Sequence, residues 1–343
     1  MKQVSVLKFG GSSVGTIDKI KDISTYLKKR VENNEKLIVV VSAMGKTTDE
    51  LLKQVEKITD NPDVRELDTL LAIGEQNTIS LMAITLNELG VRARSLTGIQ
   101  AGIKTFGQHT KSRIADIDAD FLNGQLEGFD ILVVAGFQGY NENLEITTLG
   151  RGGSDTSAVA LAAAIGASCE IYTDVTGVFG TDPRIYKAAR QLSQVSYEEM
   201  LELSALGAGV LETRCVEIAK NYNVPLYLAK TLSDTKGTWI MANTDLLEKK
   251  VVTGVALDRD ILHVTLTCSD IGTNFVEELF NQVSIVGSGM RDVSGVAARA
   301  FRLLCSNGIN FYQVTTSEIS ISYAIDKDIS EKAVILLCKE FNI

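Results

Sequence analysis

The chain has 343 residues, 45% of them hydrophobic and 22% charged, a balance that suits a soluble globular protein long enough for two domains. Its 34 basic and 43 acidic residues leave a net charge of −9 with no dense basic stripe. That argues against a nucleic-acid partner, whose affinity rests on Lys and Arg neutralising phosphates. Five scattered cysteines lack metal-type spacing and read as reduced thiols, which points to a cytoplasmic location. Two histidines are too few for a histidine-rich metal site, so no protein-held metal is expected. Met1-Lys2-Gln3 runs straight into a strand-like segment, without a leader pattern or an apolar run of roughly 18 residues, so no membrane contact is expected.

In chain order, Val4–Phe9, Leu37–Ser42, Asp130–Ala135, Glu170–Asp174 and Pro225–Ala229 read as buried strands. Between them, amphipathic stretches at Ile17–Val31, Asp49–Ile58, Leu67–Leu89, Thr156–Ala164 and Tyr197–Leu203 predict helices. Strands alternating with helices of this length argue for an α/β fold, a mainly parallel sheet sandwiched by helices. Near residue 245 the elements become short. Val283–Val286, Val296–Ser306, Asn310–Thr315, Ile319–Ile325 and Ser330–Phe341 give a strand–helix–strand–strand–helix order, that of a small α+β regulatory or assembly domain. The expected division is 1–245 and 246–343, with the boundary within Asn243–Lys250.

The first strand leads into Lys8-Phe9-Gly10-Gly11-Ser12-Ser13-Val14-Gly15, joining it to the first helix. Glycines let backbone approach an anion closely, and a helix start offers free N–H groups and a positive dipole end. Lys8 adds a mobile charge suited to a transferring phosphoryl group. Taken alone, the segment is equally a tight strand–helix turn with a solvated lysine. A second glycine loop, Thr148-Leu149-Gly150-Arg151-Gly152-Gly153-Ser154-Asp155, opens the helix Thr156–Ala164. Arg151 could clamp a carboxylate through two parallel hydrogen bonds. Asp155 alone would pass as an ordinary acid at a helix N-terminus, but that leaves the glycines and the arginine unexplained. Two such loops in one α/β domain fit a kinase with facing nucleotide and acceptor sites.

Five segments in order, Lys8–Val14 (KFGGSSV), Val41–Leu51 (VSAMGKTTDEL), Ile73-Gly74-Glu75, Thr148–Ala158 (TLGRGGSDTSA) and Thr173–Arg184 (TDVTGVFGTDPR), together resemble the aspartate kinases. The resemblance implies the amino-acid kinase fold and transfer of the γ-phosphoryl group of ATP, with Mg²⁺, to the β-carboxylate of L-aspartate. That is the first step of lysine, threonine and methionine biosynthesis. It also implies that Lys8, Gly10, Gly11 and Ser12 contact the phosphates. Ser42, Thr48, Glu75, Arg151 and Ser154 would surround the aspartate, with Glu75 facing its ammonium group and Arg151 its α-carboxylate. Asp155 would organise Lys8 and the acceptor. Thr173, Asp174, Phe179, Thr181, Asp182 and Arg184 would line the nucleotide pocket. Without the resemblance, Ser42 and Thr48 pass as a turn and a helix cap, Glu75 as a surface acid and Asp182-Pro183 as a turn.

A carboxylate acceptor is already ionised at neutral pH, given an ordinary pKa of about 3.9, so no general base is required. Catalysis would rest on positioning and on electrostatic stabilisation of in-line transfer. Several residues depart from the family pattern. Gly209 stands where some members carry a lysine that reaches the nucleotide, Glu212-Thr213-Arg214 replaces a frequent His-Pro-Arg, and Thr176 stands in place of a frequent aspartate. Val283–Phe301 and Ile309–Tyr323 resemble an ACT domain, of which the family usually carries two. Leu262–Cys268 resembles the start of the first copy, yet only Ser269–Gln282 separates it from the next strand, so one complete copy is expected. The family's effectors, lysine or threonine, bind where ACT domains pair, and a homodimer or higher homo-oligomer is the expected assembly. The competing readings are another amino-acid kinase, acting on glutamate or a nucleotide, and a catalytically weak amino-acid-binding regulatory protein.

Overall fold

The computed structural model describes residues 4–242, 251–269, 272–291, 293 and 295–343. They form two compact units, one of residues 4–177 and 214–242, the other of 178–213 and the described residues from 251 onward. The boundary expected within 243–250 lies outside the described residues.

The first unit runs β1 (Val4–Phe9), α1 (Ile17–Glu32), β2 (Lys36–Val41), α2 (Thr47–Glu56), α3 (Val64–Leu71) and α4 (Ile73–Glu88). It continues with β3 (Ala93–Leu96), β4 (Ile103–Phe106), β5 (Arg113–Ile117), α5 (Ala119–Gly128), β6 (Ile131–Ala135), β7 (Gln138–Tyr140), β8 (Ile146–Thr148), α6 (Gly153–Ile165) and β9 (Cys169–Thr173). After β10 (Gln194–Ser196) and α7 (Tyr197–Leu203) of the second unit, α8 (Thr213–Asn221), β11 (Leu226–Lys230) and β12 (Thr238–Met241) close it.

Its main sheet has the order β12-β11-β9-β1-β2-β6-β3. Every pairing from β11 to β3 is parallel, and β12 joins β11 antiparallel. The central strands are unbroken apolar runs because both faces are covered. Leu7, Phe9, Val39, Val41, Val133 and Ala135 pack against Ile20, Ile23 and Leu27 of α1 and Ile79, Met82 and Leu86 of α4. The alternate residues Val6, Ile38, Val40, Leu132 and Val134 are also fully buried, and α6, buried along most of its length, packs on β1 and β2. The expected fold class holds. A smaller four-stranded sheet, β5-β4-β7-β8, also belongs to this unit.

The single helix expected over Leu67–Leu89 is two helices, α3 and α4, divided at Ala72. Gln138 Nε2 donates to the Ala72 carbonyl across 3.0 Å there, pinning the junction from another strand, a contact that helical periodicity does not report.

In the second unit, β13 (Gly254–Ser269) and β14 (Gly272–Val286) form a long antiparallel hairpin, followed by α9 (Val296–Ser306), β15 (Gln313–Thr316), β16 (Ser320–Ile325) and α10 (Lys327–Phe341). The sheet order is β13-β14-β16-β15, antiparallel throughout. Val283, Ile285 and Tyr323 pack against Ala300 and Leu304 of α9 and Val334 and Leu337 of α10. Leu262–Cys268, expected to open a separate ACT copy, instead pairs within this hairpin, Leu262 opposite Leu279 and Cys268 opposite Thr273. No helix among the described residues is long and apolar enough to cross a membrane.

Candidate active site

The parallel register aligns the carboxyl ends of four strands. Phe9 lies opposite Val41 and Tyr172, and Val41 opposite Ala135. Ligands of open α/β sheets bind at such an edge because the loops that leave it lie side by side. Lys8 is the penultimate residue of β1, Ser42 follows β2, Gly136 follows β6, and Thr173 ends β9.

The loop after β1 is a tight turn in which Ser13 and Val14 donate their N–H groups to the Gly10 carbonyl. Helix α1 starts at Ile17, where the sequence pattern places it, with Thr16 capping the Lys19 N–H. Gly11 is required by close approach, since a Cβ there would lie 2.7 Å from the Ala43 carbonyl oxygen of the loop after β2. Gly11 O also accepts the Gly45 N–H at 3.0 Å, so the two loops are joined by backbone.

Lys8 is buried, and its Nζ lies 2.5 Å from Asp155 Oδ1 on the first turn of α6, an ion pair outside hydrogen-bond geometry. Helix α6 begins at Gly153, three residues earlier than expected, which places Ser154 and Asp155 at its positive end. Glu75, at the start of α4, is only 3% exposed. Its Oε1 accepts the Ala43 N–H at 2.9 Å, while its Oε2 is buried without a hydrogen-bond partner. Burial pushes this carboxyl up to about 7, against the downward pull of its backbone hydrogen bonds.

One cavity of about 810 Å³ in the first unit is lined by Lys8, Gly11, Ser42, Thr48, Glu75, Arg151, Ser154 and Asp155 together. Eight expected site residues from four separate segments thus line one cavity. Arg151 is exposed, and no described residue pairs with its guanidinium. Gly10 lies beside Lys8, where an added Cβ would sit 3.5 Å from Nζ, and Ser12 takes the Lys19 ammonium on its carbonyl at 2.8 Å. Thr173 and Asp174, joined by a 3.0 Å hydrogen bond, follow the same sheet edge but do not line the cavity.

Phe179, Thr181, Asp182 and Arg184 belong to the second unit. Phe179 forms an antiparallel bridge with Gln191, and Thr181 is buried. Asp182 pairs with Arg184 at 2.7 Å, and those hydrogen bonds hold its carboxyl below the usual range. Gly209, also in this unit, has φ 59° at the end of a π turn over Ser204–Ala208.

Sequence reasoning missed residues that frame the cavity. Asp49 lies on its wall. Asp68 of α3, fully buried, accepts from Thr148 Oγ1, a residue of the wall. Arg214 holds the loop backbone itself, donating to the Leu149 and Ser112 carbonyls at 3.0 Å each. Asp68 sat in a helical run without any flanking loop signal, and Arg214 was noted only as part of a family departure.

Residues 3–230 match the amino acid kinase family and residues 283–341 an ACT domain. The chain is 41% identical over 396 residues to an aspartokinase of Geobacillus stearothermophilus, covering 99% of this chain and 97% of that one. It is 42% identical over 397 residues to aspartokinase 2 of Bacillus subtilis, covering 98% and 97%. The 396-residue alignment exceeds the 343 residues of this chain by 53, so the relative carries segments that have no counterpart here. The solved structure of E. coli aspartokinase III in complex with aspartate and ADP superposes with a TM-score of 0.81 at 19% identity, covering 99% of this chain and 100% of that chain, a likeness of fold.

Proposed function

The chain belongs to the aspartokinase family, and from that premise we propose that its first-unit cavity transfers the γ-phosphoryl group of ATP to the β-carboxylate of L-aspartate, giving 4-phospho-L-aspartate. The observation that carries this reading is the buried, unpartnered Oε2 of Glu75 in the same cavity as Lys8 and Arg151. A carboxylate starved of donors attracts an ammonium group. An arginine without a protein partner offers a bidentate site for a carboxylate. Aspartate carries both groups on one carbon, and with these engaged its side chain is the end left for reaction.

In this arrangement Glu75 binds the substrate ammonium, Arg151 the α-carboxylate, and Ser42, Thr48 and Ser154 orient the remainder. Lys8, with Gly10, Gly11 and Ser12 around it, stabilises negative charge spreading over the transferring phosphoryl oxygens. Asp155 keeps the Lys8 ammonium in place, and the positive end of α6 adds to the same field. The acceptor is ionised already, so no side chain need remove a proton. Thr173 and Asp174, at the carboxyl end of β9, form the nucleotide side of the proposal within this unit. Mg²⁺ brought by ATP would be held mostly by phosphate oxygens and water, since the Asp155 Oδ1 is already engaged by the Lys8 ammonium. When bound, that ion neutralises phosphate charge.

The family match over 3–230 supports 1–245 as the catalytic division and 246–343 as the ACT-like division. The ACT match supports amino-acid effector binding, lysine or threonine, and homo-oligomer assembly. The test is ATP- and Mg²⁺-dependent acyl phosphate formation trapped with hydroxylamine, with aspartate and glutamate in parallel. Signal with aspartate and none with glutamate is expected. A folded protein giving no signal with aspartate would overturn the reading. Added lysine or threonine in the same assay tests the effector.

A further inference from the structure

The loop carrying Arg151 is held by a charged clamp at each of two points, Asp68 fully buried and Arg214 partly so, and both clamps join the same two segments. Asp68, in α3, has no exposed surface. Its Oδ1 accepts the Thr148 hydroxyl, and both its oxygens accept the Thr110 N–H, at 3.1 and 3.0 Å. Its Oδ2 also lies within hydrogen-bond reach, 2.7 Å, of His109 Nδ1. With both oxygens already accepting, that contact assigns the proton to Nδ1, and the ring's Nε2 lies 3.7 Å from Glu145. Arg214 repeats the bridge, donating to Ser112 O on one segment and Leu149 O on the other. Ser112 N–H in turn donates to Thr148 O at 3.0 Å. Thr148 and Leu149 are therefore pinned through a hydroxyl and through backbone immediately before Gly150 and Arg151.

A buried carboxylate without a Lys or Arg partner is costly, and apolar residues of similar volume often stabilise a fold as well. Its geometric value is directional, because it fixes the positions of several donors at once. We propose that Asp68, acting through Thr148, is a positioning residue for substrate recognition: it sets where the Gly150–Gly152 loop places the Arg151 guanidinium. This inference rests on the reading of Arg151 as the site for the substrate α-carboxylate. Neither Asp68 nor Thr148 need touch the reacting atoms. Misplacing a substrate-holding group by about 1 Å can cost on the order of a hundredfold, so a hydroxyl behind the loop can govern affinity.

The experiment compares Thr148→Val, Thr148→Ser, Arg151→Ala and the Thr148→Val/Arg151→Ala double variant in the full chain, with Asp68→Asn as a second route should the valine variant fail to fold. KM for aspartate, KM for ATP and kcat are read separately. Thr148→Val should raise the aspartate KM about tenfold, the scale of a lost hydrogen bond to a charged group, and leave the ATP KM within about twofold. Thr148→Ser, which keeps the donor, should restore the aspartate KM. In the Arg151→Ala background, Thr148→Val should add less than about twofold, because the group it positions is gone. Equal losses in both backgrounds, or parallel rises in both KM values, would overturn the positioning role while Arg151 keeps its own. An Arg151→Ala variant with unchanged aspartate KM would overturn the substrate-site reading of Arg151, and this inference with it.

Discussion

Replacing Glu75 by glutamine probes the feature on which the site reading depends. Burial raises this carboxyl from 4.5 to about 7, so in the free protein the ionised form is disfavoured. The shift corresponds to about 3 kcal/mol at 1.36 kcal/mol per pKa unit. Because the folded-state pKa is the raised one, that destabilisation is absent below pH 4.5, grows between 4.5 and 7, and is complete above 7. Binding an ammonium group requires the ionised form. The aspartate kcat/KM should therefore rise about tenfold per pH unit below 7 and level off above it. Glu75→Gln should lose this limb and bind aspartate weakly at every pH. Its melting temperature relative to wild type should also improve as the pH rises from 5 to 8. Initial rates from pH 5.5 to 8, with parallel thermal scans, read both effects. A pH-independent wild-type kcat/KM across that range, or an identical limb in the glutamine variant, would refute the argument.

Lys8→Met should lower kcat by at least about a hundredfold. It should also lower the melting temperature, because Asp155 loses its ion partner in a largely buried site. Adding Asp155→Asn should recover stability without activity, and recovered activity would contradict the role of Lys8. Gly74→Ala would place a Cβ 2.7 Å from the Ala43 Cβ, so it should cost about 1–3 kcal/mol and raise the aspartate KM, since Ala43 N–H holds Glu75. Ala43→Gly in the same chain should relieve both effects, and an unrelieved KM would count against the steric account. In the second unit, burial alone would raise Glu199, but donors from Ser288, Thr253 and Ser196 outweigh it and hold it below its ordinary range. With the folded-state pKa depressed, its stabilisation is present above pH 4.5 and lost as the pH falls through the lower folded value. Glu199→Gln should flatten the acid limb of thermal unfolding between pH 3 and 5, and coincident limbs would refute the assignment.

The main sheet was legible because strands buried on both faces must be apolar throughout. Lys36–Val41 and Ile131–Ala135 admit no other local reading once helices flank them. The small sheet was not, because β4, β5, β7 and β8 have only three to five residues, too few for periodicity to mark them, and β4 and β5 also mix exposed with buried positions. Helix α4 was visible as helix, but its separation from α3 depends on Gln138, more than sixty residues away. The hairpin of β13 and β14 was obscured in a different way. Family resemblance suggested a copy boundary, whereas β13 and β14 stay paired across one bulge, from Leu257 opposite Val283 to Leu262 opposite Leu279 and beyond.

The site divides along the same line. Groups that meet substrate tend to sit on loops with unusual backbone, and glycine leaves a mark there: Gly10-Gly11 beside Lys8, and Gly150 through Gly153 around Arg151. Glu75 carries no such mark. Its role depends on a buried oxygen without a donor, which exists only once α4 is packed against the loop after β2. Asp68, His109, Thr148 and Arg214 are further removed, since each is ordinary in its own stretch of chain. What joins them is topology. A backbone hydrogen bond from Ser112 N–H to Thr148 O holds residues 110–112 beside 148–149, and only then does one buried carboxylate or one guanidinium bridge both. A recognition loop held in this way owes its geometry partly to residues, such as Asp68 and Arg214, that do not line the cavity, so substitutions at those positions should change affinity for one substrate and leave the other nearly untouched.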